Sequence, residues 1–161
     1  MAEYPEAEFF KEFFRRTKHN LECIEQQNDA YSVTQLINSL FGMLIFPQQK
    51  YCKDIRIIDG KKEGAKWNSS WKSLKNKAEG DYDFEHMNYP NFIEHLRNAV
   101  AHPQGMEIVS EKGEIKSIKL VDKSPKTNKK FRLTIEVNEF KDFAMEFCQV
   151  MISHLDSLKE M

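Results

Sequence analysis

Apolar residues recur at three- and four-residue spacing along several stretches of the chain, and at every second residue in one region between them. Phe9, Phe10, Phe13, Phe14, Leu21 and Ile24 form a helical stripe, with Thr17 in the same register, that predicts a first helix over about residues 5–27, broken by Asn28 and Asp29. Val33, Leu36, Ile37, Leu40, Phe41 and Leu44 predict a second helix, with Ser32 as its N-cap and Pro47 as its stop. Gly42 lowers helix propensity inside that stripe, which points to close approach of a neighbouring helix. Phe92, Ile93, Leu96, Ala99 and Val100 form a third stripe, with Pro90 in the first turn and Asn88 or Tyr89 near the cap. Pro103 disfavours the α conformation at His102, so this helix is expected to stop there. Asn138 is read as the cap of a long last helix whose stripe runs through Phe140, Phe143, Ala144, Phe147, Met151, His154, Leu155 and Leu158.

Before that last helix the period changes to two. Residues 106–110, 115–121 and 131–137 read as three strands, and Phe131, Leu133, Ile135 and Val137 alternate with polar neighbours. Glu111, Lys112 and Gly113 supply a tight hairpin turn. The expected fold class is mainly α: a helical bundle with a small antiparallel β element of about three strands before the C-terminal helix. A length of 161 residues fits a single domain, 1–161, with the β elaboration at about 106–137.

Composition narrows the class without naming a function. The formal charge of −1 rules out a general polycation. The cysteines, Cys23, Cys52 and Cys148, are scattered and form no Cys-x-x-Cys pair, so neither a disulfide framework nor a zinc site is indicated. No carboxylate cluster suggests another metal, and no cofactor is implied. The acidic start does not read as a signal peptide, and the longest apolar run, 40–46, is too short to span a bilayer. A reduced cytoplasmic protein without a membrane segment is expected.

Basic residues concentrate in two places. Residues 50–77 are lysine-rich and include Lys61 and Lys62, and a loop at 122–130 carries Lys123, Lys126, Lys129 and Lys130. Such tips are most often solvated surface, and they also suit a phosphate backbone. Trp67 and Trp71 stand one helical turn apart on an expected short helix, either as anchors of the core, the favoured reading, or as a base-stacking platform.

The chemistry concentrates at the end of the third stripe, in Leu96-Arg97-Asn98-Ala99-Val100-Ala101-His102-Pro103. Arg97 offers a fixed cation with a planar fork suited to phosphate, and His102 offers proton transfer near neutral pH. Basic residues at a helix end also simply complement its dipole. On one helix Arg97 and His102 diverge by ~140°, so a single copy does not bring them together. His95, on the border of the apolar face, is read as a packing or interface histidine.

Arg-Asn-x-x-x-His at a helix end in a small α bundle resembles the HEPN family. The segment 40–47 also looks like part of some small prokaryotic HEPN proteins, and the likeness spans about residues 5–158. The resemblance implies a metal-independent endoribonuclease, often a toxin or antiviral defence protein. It also implies a homodimer in which two motif helices meet across a two-fold axis, with an antitoxin or regulatory protein as a further partner. It assigns Arg97, Asn98 and His102 as catalytic, with Asn98 orienting His102 or bonding the RNA. A non-catalytic HEPN module that binds nucleotide, RNA or protein is the alternative. Some family members carry, two residues after the His, a Tyr modified by a nucleotidyltransferase antitoxin; Gln104 stands there in this chain, against control by that route.

Overall fold

The computed structural model describes residues 6–26, 32–45, 70–102 and 104–157. Five helices and four strands run in the order α1 (Glu6–Glu25), α2 (Ser32–Ile45), α3 (Ser70–Lys77), β1 (Glu79–Gly80), α4 (Tyr89–Ala101), β2 (Met106–Glu111), β3 (Glu114–Lys123), β4 (Lys130–Glu136) and α5 (Val137–Ser157). The fold is mainly α, as the stripes predict. The expected count of three strands is corrected: a fourth, β1, pairs with β4, and the antiparallel sheet has the order β1-β4-β3-β2. Two residues carry no readable period, so β1 is invisible in the sequence and exists because β4 offers it an edge.

Boundaries move by a few residues elsewhere. Val137 starts α5 instead of ending a strand. The third expected strand begins at Lys130, and the second extends to Lys123, so the basic loop is shorter than its expected 122–130. The β2–β3 turn is the predicted one. Lys112 and Gly113 adopt φ of 51° and 83°, the positive pair that a two-residue hairpin connection needs.

The helices enclose an aromatic spine. Phe14 of α1 meets Phe147 of α5 at 6.0 Å between ring centroids, Phe147 meets Phe143 at 6.1 Å, and Phe143 meets Phe92 of α4 at 6.4 Å. Phe92 then reaches Phe131 of β4 at 5.9 Å. All five rings are fully buried, so this chain of contacts ties bundle to sheet. Phe13 of α1 faces Gly42 of α2, where a Cβ would lie 3.4 Å from its Cζ, the approach expected of that glycine. Trp71 is a core anchor, buried with its ring edge-on to Tyr89 at 5.2 Å, and is no platform for a base. Trp67 lies outside the described residues.

Helix α4 lies on β3. Asn88 caps it, its Oδ1 accepting from the Asn91 backbone N–H at 2.9 Å, and Pro90 occupies the first turn. At the other end His102 is the C-cap, extended at φ −103° and ψ 129°, with its N–H bonded to the Asn98 carbonyl. The chain returns at once into the sheet. Gly105 N–H donates to the His102 carbonyl at 2.8 Å, and Val121 N–H donates to the Gly105 carbonyl at 2.6 Å.

Candidate functional site

Strand β3 buries alternate residues: Ile118, Leu120 and then Asp122, which is only 6 % exposed. The period that turns two aliphatic side chains toward the core turns this carboxylate there as well. It arrives beneath α4, where His95 and Asn98 are three residues apart and so share a face. His95 Nδ1 lies 2.7 Å from Asp122 Oδ2, and Asn98 Nδ2 donates to the same oxygen at 3.2 Å. The burial cost of the carboxylate is thus met by two donors.

Asn98 carries the connection onward. Its Oδ1 accepts from Arg97 Nε at 3.1 Å and from Arg97 Nη2 at 2.6 Å. Asp122 as a carboxylate only accepts and Arg97 only donates, so a single orientation of the Asn98 amide satisfies both. The same logic puts the proton of the His95–Asp122 bond on Nδ1 when His95 is neutral. Arg97 is half-buried, and among the described residues its Nη1 has no hydrogen-bond partner.

His95 is clamped from both sides. Its ring stacks on Phe131 at 4.9 Å and 10°, and touches Tyr82 at 4.4 Å. Burial first, then the charges of Asp122, Asp81 and Glu94, push the Tyr82 hydroxyl above its ordinary pKa. Lys129 Nζ lies 5.7 Å from the centre of the Tyr82 ring, which joins the basic loop to this cluster.

The structure therefore brings Arg97, Asn98 and Lys129 to one region. His102 sits apart from the relay, exposed at the helix end. The Asn98 side chain is committed to Arg97 and Asp122; its only bond to His102 is through the backbone. Lys123, Lys126 and Lys130 range from exposed strand ends to the loop between β3 and β4, with Lys123 opposite Lys130 in the sheet. Lys126 and Lys129 are exposed positions of that tip, and Lys61 and Lys62 lie outside the described residues. Asp122 is the residue that sequence reasoning missed, having been read as the start of the loop. The signal was present, since it continues the spacing of Ile118 and Leu120 by two.

Among the described residues no helix is long and apolar enough to cross a membrane. Residues 1–158 match the family model described as HEPN pEK499 p136. No curated protein and no solved structure matches the chain.

Proposed function

Because the chain belongs to the HEPN family, in the group described as pEK499 p136, we propose that it is a metal-independent endoribonuclease acting in the cytoplasm as a toxin or antiviral defence protein. Membership alone suggests a nuclease-like or nucleotide-binding module. The observation that carries the finer reading is the state of Arg97: its Nε and Nη2 are held by one amide oxygen, and its Nη1 is without a partner among the described residues, at the end of the helix that finishes in an exposed His102.

The reaction is transfer of the RNA phosphate to its own 2′-hydroxyl. His102 takes the proton of the 2′-hydroxyl as the O2′–P bond forms, and the P–O5′ bond breaks as His102 of the partner subunit, protonated, gives its proton to O5′. Arg97 stabilises the charge that builds on the non-bridging oxygens. Products are a 2′,3′-cyclic phosphate and a 5′-hydroxyl. The divergence of Arg97 and His102 on one helix calls for a homodimer, in which a partner helix supplies the complementary pair across a two-fold axis. Lys123, Lys126, Lys129 and Lys130, with Lys61 and Lys62, guide the strand by its phosphates.

The test is incubation of labelled single-stranded RNA with the protein in EDTA. Cleavage that yields cyclic-phosphate ends, spares DNA, and disappears in both Arg97→Ala and His102→Ala with the fold intact is the expected result. RNA binding without cleavage would replace the reading with that of a non-catalytic binding module.

A further inference from the structure

The motif helix contains no reason of its own for Arg97 to hold one position. Arginine and asparagine side chains at adjacent helix positions point in different directions, and each has rotamer freedom to lose. What settles them comes from the sheet. Asp122 is a buried anion on β3, anchored by His95, whose ring is itself fixed between Phe131 and Tyr82. It takes the Asn98 amide nitrogen, which turns the amide oxygen outward to accept two N–H bonds from the guanidinium.

We propose that Asp122 is the positioning residue of the Arg97 site: anchored by His95, it orients the Asn98 amide so that Asn98 grips the Nε–Nη2 edge of Arg97 and leaves the outer end of the guanidinium for a phosphate. The phosphate in this statement rests on the ribonuclease reading; the relay itself does not. Arg97 then meets its ligand through Nη1 and the remaining Nη2 hydrogen, end-on rather than through the Nε side.

The bonding pattern gives a reciprocal test. The single variants are Asp122→Ala and Asn98→Asp: in Asp122→Ala both donors lose the one oxygen they share, and the relay breaks. In Asn98→Asp two carboxylates confront each other. In the exchange variant, Asp122→Asn with Asn98→Asp, the contacts are restored with their direction reversed: the new amide nitrogen stands at the shared position and donates to His95 Nδ1, in its other tautomer, and to the new carboxylate, which grips Arg97.

Two readouts are needed. The first is the Arg97 Nε–H cross-peak in proton–nitrogen spectra, assigned by its disappearance in Arg97→Lys. It should stand apart from exposed arginines in the wild type, merge with them in each single variant, and return in the exchange variant. The second is RNA cleavage in EDTA. Each single variant should lose about tenfold to hundredfold in kcat, the scale of residues that orient a ligating group, with KM altered less than about threefold. The exchange variant should recover to within about fivefold of wild type. Single variants that unfold beside an exchange variant that folds with an ordered Arg97 also support the relay. An exchange variant no better than the singles in either readout overturns it, as does an unmoved cross-peak in Asp122→Ala. A wild type that cleaves nothing, while the cross-peak behaves as described, refutes the ribonuclease reading and leaves the positioning role standing.

Discussion

Gly105 sits directly against the carbonyl of Ala99: a Cβ on Gly105 would lie 2.1 Å from that oxygen and 2.8 Å from the carbonyl oxygen of Val121. Both obstacles are backbone, one at the end of α4 and one in β3. Gly105→Ala therefore has to push helix and strand apart. The expected cost is about 1–3 kcal/mol or more, the range for overpacking into groups that cannot yield. Urea unfolding measures it, and a variant as stable as wild type would contradict the contact.

Arg97→Lys should be nearly as damaging to cleavage as Arg97→Ala. Lysine keeps the charge and loses the fork, so it cannot both answer the Asn98 oxygen at two points and address a phosphate. The expected loss is about 100-fold in kcat, the scale of one missing transition-state donor. Single-turnover rates on labelled RNA decide it; a lysine variant with wild-type rates would show that charge alone suffices.

Glu146 offers a prediction with a pH sign. Its Oε2 accepts from the backbone N–H of Ser70 at 3.0 Å and from the Ser70 hydroxyl, at the start of α3, and its Oε1 is buried with no partner among the described residues. Burial is the largest influence and raises its pKa; the Ser70 N–H opposes, and Asp142 adds to the rise. The native state therefore holds this proton more tightly than the unfolded chain does. The associated stability is complete below the ordinary carboxylate range and is lost as pH climbs through the raised native value. Glu146→Gln should be more stable than wild type by about 0.5–1 kcal/mol at pH 8, discounted for partial exposure. That advantage should shrink toward pH 4. Denaturant melts across this range would reject the assignment if the gap instead widened on acidification.

The two described cysteines should react very differently. Cys148 is buried, donates its S–H to the Met43 Sδ at 2.9 Å, and has its thiol pushed up to about 12, chiefly by burial. Cys23 is exposed. At pH 8 an alkylating reagent should modify Cys23 within minutes and leave Cys148 intact until denaturant is added, since the thiolate is the reactive form. Peptide mapping by mass spectrometry reads the outcome, and early labelling of Cys148 would contradict its burial.

Salt dependence tests the basic tip. If Lys126 and Lys129 follow an RNA backbone, replacing each with Gln should flatten the plot of log affinity against log salt by about 0.7 per lysine for single-stranded RNA. Lys129→Gln also removes the cation over Tyr82. Unchanged slopes in a noncleavable 2′-O-methyl oligonucleotide titration would return both lysines to ordinary solvated surface.

Strong periodicity carried most of the fold into view. The long stripe of Phe140, Phe143, Phe147 and Met151, the alternation of Phe131, Leu133 and Ile135, and the Asn88 and Pro90 signals at the start of α4 each mark an element that one face of burial specifies. Arg97, Asn98 and His102 were visible because they sit together in six residues. For Asp122 the spacing after Ile118 and Leu120 marks a buried position, but not its partners, which lie on a helix 24 and 27 residues earlier in the chain. Strand β1 was hidden for a related reason: Glu79 and Gly80 become a strand only when Arg132 and Phe131 lie beside them. Gly105 is the point where two backbones nearly touch, a closeness set by the pairing of α4 with β3 and not by its neighbours in the chain.

The order of elements has a temporal consequence. Helix α4 precedes β3, so a chain emerging from the ribosome displays its arginine and histidine before the aspartate that disciplines them has been synthesised. A protein able to cut RNA would, on the relay proposed above, be born unarmed beside the most abundant RNA in the cell. Competence would come with completion of the sheet, after release of that stretch from the exit tunnel.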